Sequence, residues 1–362
     1  MVQCVEMGAS SLEGLKTILS KEHVKSVFLV TGKSSYELCG AKDLLALPLF
    51  GIEVTRFSDF EINPRLEDLS EGIRIFNSQK YDLIVAIGGG SVLDMAKAIK
   101  GLHSYSDNLA AAIITGKESN KTTSLVAIPT TAGTGSEATH FAVIYISGEK
   151  YSFSSLDLLP EYVILSPRLT ESVPQYDAAC AGADALCQSI ESLWARSSTK
   201  SSRSYAKKAL ALIWPNIKGA VVEQKSDAKA RMLEGAYWAG RAINISKTTA
   251  SHALSYKITS RFKIPHGHAV ALTLIPVIRH NYEADSSNCE NLFRALSVTD
   301  LPSAIFLLQE LWAVLGLKMS LEELGVEKSE IENLSNCNKE RLNNNPAVLH
   351  REQIINILES IY

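Results

Sequence analysis

Four residues carry the chemistry that this sequence offers most clearly. Asp184 and Gln188 lie in Asp184-Ala-Leu-Cys-Gln188, His252 in His252-Ala-Leu-Ser-Tyr256, and His266 in Pro265-His266-Gly267-His268. A spacing of four puts Asp184 and Gln188 on one face of a helix. His252 falls on a second helix and His266 at the start of a third. One carboxylate and two imidazoles converging from separate helices suit a divalent metal with an open position. Such a metal polarises a carbonyl or lowers the pKa of an alcohol. The opposing reading is that two histidines fourteen residues apart are unrelated. Against it stands the first half of the chain, which reads as a nucleotide holder.

There, Gly88-Gly89-Gly90-Ser91 directly follows the apolar run 82–87 (DLIVAI) and opens the helical pattern VLDMAKAIK. A glycine-rich turn between strand and helix lets a phosphate approach backbone N–H groups and the positive end of the helix dipole. A tight turn without a ligand is the alternative. A second small-residue loop, Thr130-Thr131-Ala132-Gly133-Thr134-Gly135-Ser136, follows the run 124–129 (SLVAIP). Two such loops after neighbouring strands fit the crevice where open α/β sheets bind ligands. The spacing is not G-x-G-x-x-G, so the usual dinucleotide fingerprint is absent.

The elements that must position these groups follow from hydrophobic patterning. Residues 24–31, 82–87 and 124–129 read as short, continuously apolar strands, with helical patterns at 12–22, 34–46, 65–77 and 92–101. Apolar strands alternating with amphipathic helices argue for a mostly parallel sheet covered on both faces. Residues 139–165 read as a hairpin turning at Gly148-Glu149-Lys150, then the strand YVILS. After Pro167, helical patterns take over at 175–195, 200–223, 226–243, 247–262, 267–283, 301–315 and 351–361, and the Asn-rich stretch 335–345 reads as a surface loop. The expectation is an α/β dinucleotide-binding domain over 1–167 and an all-helical metal- and substrate-binding domain over 168–362.

Composition narrows the function classes. The chain has 362 residues, 46% hydrophobic and 21% charged, with a formal net charge of -3. That balance points neither to nucleic acid nor to a membrane surface. The longest apolar run, Ala269 to Ile278, is too short to span a bilayer. The N-terminal residues lack a basic region followed by an apolar core, so no signal peptide is expected. Six dispersed cysteines (4, 39, 180, 187, 289 and 337) form no CxxC pair and read as free thiols in a reducing cytoplasm.

Taken together, Gly88-Gly89-Gly90-Ser91 with Asp94 and Lys97, Pro129-Thr130-Thr131-Ala132-Gly133-Thr134-Gly135-Ser136-Glu137, Asp184-Ala185-Leu186, His252 and Pro265-His266-Gly267 resemble the iron-dependent (group III) alcohol dehydrogenase family, in its order and spacing. The resemblance implies the dehydroquinate synthase-like, iron-containing alcohol dehydrogenase architecture, with a metal between the two domains and NAD or NADP as coenzyme. It implies that the loop 88–91 contacts pyrophosphate and that 130–136 lies along the coenzyme. Expected coenzyme contacts are Gly32, Lys33, Ser34, Gly88, Gly89, Gly90, Ser91, Asp94, Thr130, Thr131, Gly133, Thr134 and Ser136. Members are commonly dimers or larger homo-oligomers.

The sequence departs from that family in three places. Gln188 stands where a histidine ligand is usual, so Asp184, His252 and His266 are expected as the firm metal ligands, with Gln188 near or loosely bound, and the ion is iron or zinc. After the first strand, Thr31-Gly32-Lys33-Ser34-Ser35 lacks the acidic residue that holds the adenosine ribose, which favours NADP. Tyr256 replaces a second histidine four residues after His252, and either donates or relays a proton or packs. His268 is a further proton carrier on this reading.

The segments 247–256 and 266–272, together with Cys187-Gln188-Ser189-Ile190-Glu191 and Asn343-Asn344-Asn345-Pro346, resemble one branch of the family, the phosphonoacetaldehyde reductases of phosphonate biosynthesis. A phosphonate needs basic donors. Lys247, placed on the helix that carries His252, Arg241 and Lys257 are candidates, with hydroxyls from Thr248 and Thr249. The competing readings are a reductase of an uncharged short-chain aldehyde, a cyclase similar to dehydroquinate synthase, and a non-catalytic nucleotide sensor with a decayed metal site.

Overall fold

The computed structural model describes residues 3–46, 48–116, 123–337 and 339–362, and divides into two units, Met1–Val173 and Pro174–Tyr362. The division falls six residues beyond the expected boundary at Pro167. The turn Pro167–Thr170 belongs to the first unit because Leu169 is buried in its core.

The first unit is built on a six-stranded sheet of β1 (Cys4–Met7), β2 (Ser26–Thr31), β3 (Glu53–Phe57), β4 (Leu83–Gly88), β5 (Ser124–Pro129) and β8 (Tyr162–Leu165), in the order β1-β8-β5-β4-β2-β3. Every pairing is parallel. Side chains alternate between two cores: along β4, Ile84 and Ala86 enter one, and Leu83, Val85 and Ile87 the other. Both faces are therefore buried, which is why the central strands are apolar throughout. The chain runs outward from β2 to β3 and then returns to place β4 on the other side of β2. That reversal is a topological switch point, and the loops after β2, β4 and β5 share its carboxyl edge.

The edge strands β1 and β3 carry exposed polar positions and show no apolar run in the sequence. The expected hairpin pairs β6 (Phe141–Ile146) with β7 (Glu149–Ser154). It turns one residue earlier than expected, at Ser147-Gly148, where both φ angles are positive (51° and 82°), as tight hairpin turns demand. The expected helix 34–46 is broken into Ser35–Leu38 and Ala41–Ala46 by Gly40 at φ 74°.

The second unit is helical, with main helices Gln175–Trp194, Lys200–Ile213, Ser226–Ser246, Ala250–Phe262, His266–Ala284, Leu301–Val314 and Arg351–Glu359. The expected helix 200–223 is interrupted at Trp214-Pro215-Asn216, where proline removes a donor. The helix expected from residue 247 begins at Ala250; Lys247 instead ends the preceding helix at φ 56°. The stretch 335–345 is not simply a surface loop. Asn345 is fully buried and exchanges amide hydrogen bonds with Asn281, and Asn344 Nδ2 donates to the carbonyls of Ser246 and Thr248. Polar side chains are buried there because their amides satisfy backbone groups. Residue 338, within that stretch, lies outside the described residues. Among the described residues no helix is long and apolar enough to cross a membrane.

Candidate active site

The two small-residue loops expected to meet the coenzyme are shaped by close approach. Helix Gly90–Leu102 starts with no side-chain cap, since Gly89 precedes it, so its first N–H groups have no side-chain acceptor at the cap. A Cβ on Gly90 would lie 2.8 Å from Thr134 Cγ2, and one on Gly88 2.5 Å from Val92 Cγ2. At Gly89 the nearest atom would be Thr131 Oγ1 at 3.5 Å, an ordinary contact. Packing therefore demands Gly88 and Gly90, whereas Gly89 leaves room above the backbone. The loops are joined by the Thr130 N–H, which donates to the Gly88 carbonyl at 3.1 Å.

Asp94 and Ser136 are tied to one another. Ser136 Oγ donates to Asp94 Oδ1 at 2.6 Å, Lys97 Nζ pairs with the same oxygen at 3.0 Å, and the Val143 N–H donates to Asp94 Oδ2 at 3.0 Å. Lys97 is fully buried and also donates to the Ser136 carbonyl and Thr139 Oγ1, each at 3.0 Å. Burial pushes its pKa down, against the pull of Asp94. This knot braces the loop 130–136 against the helix that starts at Gly90. Ser91 is likewise engaged, its Oγ accepting from the Asn63 N–H at 3.1 Å.

At the end of β2, Gly32-Lys33-Ser34 carries no carboxylate of its own. Sequence reading missed Arg56, whose Nε donates to Thr31 Oγ1 at 2.8 Å and whose Nη2 reaches the carbonyls of Gly32 and Lys33 at 3.1 and 3.2 Å. It arrives from β3, a strand with no apolar signal. Lys33 pairs with Asp59 at 3.0 Å and Glu61 at 3.8 Å, all three well exposed.

In the helical unit, Asp184, His252 and His266 each offer a ligand atom, and these atoms lie within 4.8 Å of one another. Asp184 comes from the middle of Gln175–Trp194, His252 from the first turn of Ala250–Phe262, and His266 opens His266–Ala284. Gly267 lets the first and last of these helices cross: a Cβ there would lie 1.9 Å from the Cys180 carbonyl oxygen and 2.9 Å from Asp184 Cβ. His252 Nε2 and Asp184 Oδ1 are 3.3 Å apart, both buried, and neither makes a hydrogen bond within the described residues. Two buried polar atoms that share no hydrogen bond and face one another fit a site where a metal ion takes the place of a proton. Gln188, one turn beyond Asp184 and 4% exposed, helps to hold the Asp184 carboxyl below its ordinary pKa, together with the two histidines and against burial.

Glu191, absent from the expected site, lies two turns beyond Asp184 and is fully buried. The spacing of Asp184, Gln188 and Glu191, which puts all three on one face of a mostly apolar stretch of helix, was the available signal. Its carboxylate takes His252 Nδ1, Thr249 Oγ1 and the Ser251 N–H. Burial opposes a charge on His252, but Glu191 and Asp184 overcome it and hold the ring's pKa up at about 10. The same field that favours a proton favours a divalent cation, which competes for the site.

Models of two family domains match: iron-containing alcohol dehydrogenase over residues 3–167, and the C-terminal domain of the Fe-containing alcohol dehydrogenase family over 178–362. The chain belongs to the iron-containing alcohol dehydrogenase family. It is accordingly a metal-dependent, NAD(P)-linked oxidoreductase of alcohols and aldehydes. A probable alcohol dehydrogenase of Escherichia coli (strain K12), EutG, is 31% identical, the match covering 86% of this chain and 81% of that protein. The phosphonoacetaldehyde reductase of Streptomyces viridochromogenes is 35% identical over 58% of this chain and 56% of its own length. Sulfoacetaldehyde reductase from Bifidobacterium kashiwanohense, solved in complex with NAD+, superposes with a TM-score of 0.92 at 29% identity, covering 99% of this chain and 96% of that one.

The remaining residues expected to serve this dehydrogenase are placed as follows. Tyr256 stacks on the His266 ring, centroids 5.8 Å apart. His268 is buried, with Nε2 at 2.6 Å from the Lys318 carbonyl and Nδ1 at 2.8 Å from Tyr176 Oη. A carbonyl only accepts, so Nε2 carries the hydrogen and Nδ1 accepts from the tyrosine. Arg241 donates to Tyr237 Oη at 3.0 Å and Tyr205 Oη at 3.4 Å and lies against the rings of Tyr205, Tyr237 and Trp238. Lys247 pairs with Glu340 at the surface, and Lys257 Nζ donates to the Asn333 carbonyl at 3.0 Å. Thr248 is buried and its carbonyl accepts from Asn344. None of these three cations belongs to the group formed by Asp184, His252 and His266.

Proposed function

We propose that this dehydrogenase reduces an aldehyde with an anionic head group, phosphonoacetaldehyde to 2-hydroxyethylphosphonate, using NADPH and a divalent ion held by Asp184, His252 and His266 with Gln188 beside them. The observation that carries the metal assignment is the buried convergence of Asp184 Oδ1 and His252 Nε2 next to His266. Support for the substrate comes from the similarity to two reductases whose named substrates are two-carbon aldehydes bearing a phosphonate or a sulfonate. When bound, the metal polarises the aldehyde oxygen and the nicotinamide supplies hydride.

The chain's own residues do the rest. Asp184 supplies the negative charge of the ligand set, and the stacked Tyr256 ring fixes the face of His266. Tyr256 is the protein hydroxyl we assign to proton delivery, next to the ligand it packs on. His268 is removed from that role because both its nitrogens are engaged and burial keeps its pKa low. The preference for NADPH follows from the missing carboxylate at Gly32-Lys33-Ser34 and from Arg56 beside it. A 2′-phosphate would draw Lys33 from exposed, solvent-screened ion pairs that hold it only weakly. We propose further that the enzyme works as a homodimer in the cytoplasm.

NADPH oxidation by metal-loaded enzyme, with phosphonoacetaldehyde and propionaldehyde compared and NADH in parallel, tests this. Strong preference for the phosphonate is expected. Equal or better turnover of propionaldehyde would replace the reading with a reductase of uncharged short-chain aldehydes. The engagement of Arg241 and Lys247 elsewhere favours that second reading.

A further inference from the structure

We propose that Glu191 is a positioning residue that fixes the tautomer of His252, so that Nε2 rather than Nδ1 presents its lone pair beside Asp184. This rests on the metal assignment above. Glu191 Oε1 accepts from Thr249 Oγ1 at 2.7 Å and from the Ser251 N–H at 2.9 Å, and Oε2 meets His252 Nδ1. Trp194 Nε1 donates to Thr249 Oγ1 at 3.1 Å, which leaves the threonine hydrogen for Glu191. A carboxylate holding two donors has no hydrogen to give, so the imidazole is the donor at the third contact and Nδ1 carries the hydrogen. Nε2 is then the nitrogen left to meet a metal ion, 3.3 Å from Asp184 Oδ1. A buried carboxylate behind a metal-ligating imidazole both orients the ring and strengthens its basicity.

The isosteric change Glu191→Gln reverses one contact. Its oxygen keeps Thr249 and Ser251, and its amide N–H then faces Nδ1. That nitrogen must accept, the ring hydrogen moves to Nε2, and the ligand lone pair is lost. The experiment titrates metal-free wild type, Glu191→Gln and Glu191→Asp with Co2+, read by its visible absorption, and with Zn2+ against a chromogenic chelator. Apo melting temperature and coenzyme binding are followed alongside. The expected result is an affinity loss of roughly ten- to a hundredfold in Glu191→Gln, with fold and coenzyme binding retained and partial recovery in Glu191→Asp. Equal affinity in wild type and Glu191→Gln overturns the proposal. Failure of wild type to bind either ion overturns the metal assignment, and the proposal with it. Imidazole 15N NMR of zinc-loaded wild type gives a test without a variant: a hydrogen on His252 Nδ1 supports the proposal, and one on Nε2 sinks it.

Discussion

In the α/β unit the surface we propose for a phosphate is made of backbone, and in the helical unit the surface we propose for a metal is made of side chains. At Gly88-Gly89-Gly90 the requirement is space, and the neighbours that set it are Val92 and Thr134. At Asp184, His252 and His266 the requirement is buried charge, held in place by Glu191, Thr249 and Ser251. A backbone site is exposed to steric change but tolerant of charge change. A buried polar site is the reverse, because losing one partner leaves the others desolvated and unpaired.

The sharpest way to break this contrast is His266→Ala. We expect metal binding to be lost and kcat/KM to fall by roughly a thousandfold, since a Lewis acid supplies several kcal/mol of barrier lowering. Coenzyme affinity, measured by fluorescence titration, should be unchanged. Normal turnover without metal would show that the helical unit does not work through these side chains.

Glu137 tests whether the α/β unit hides an electrostatic dependence of its own. Burial pushes its carboxyl up from 4.5 to about 7, against Lys97, which pulls it down. The folded state therefore keeps a proton that the unfolded state releases, and stability falls as pH rises from 4.5 to about 7. Glu137→Gln should remove that slope and gain roughly 3 kcal/mol relative to wild type at alkaline pH. Denaturation curves at several pH values check this; parallel curves for the two proteins would refute it.

A paired glycine experiment sharpens the steric side. Gly90→Ala should raise the coenzyme KM about tenfold, or ~1.4 kcal/mol, and lower the melting temperature, since Thr134 must move. Gly89→Ala should raise KM without a stability loss, as its Cβ meets only ordinary contacts. Equal stability losses in both would mean that packing alone explains the glycines. The smallest effect is expected from Lys247→Ala. Its half-exposed pair with Glu340 should be worth within about 0.5 kcal/mol, so any large rise in aldehyde KM would mark Lys247 as a substrate contact.

Much of this was legible in the order of the residues. Short continuous apolar runs at β2, β4 and β5, alternating with amphipathic helices, read as strands buried on both faces, and glycines directly after β4 mark a turn that side chains would block. Asp184 and Gln188 share a helix face by period alone. The edge strands β1 and β3 were not legible, because half-exposed strands lose their apolar signature, and Arg56 was hidden with β3. Nor was the role of Asn344 and Asn345, since a polar side chain looks solvated until its partners, Ser246, Thr248 and Asn281, are known.

The sequence by itself determined the local periods, the positions of the breaks and the residue types able to bind an ion. Only the tertiary structure decided which of them meet. It brought Asp184 to His266 through a helix crossing that Gly267 permits, closed His268 off between Tyr176 and Lys318, and turned Arg241 into an aromatic cage. The physical reason is that spacing along the chain fixes which face a side chain occupies. What lies opposite that face is set by packing between elements distant in sequence.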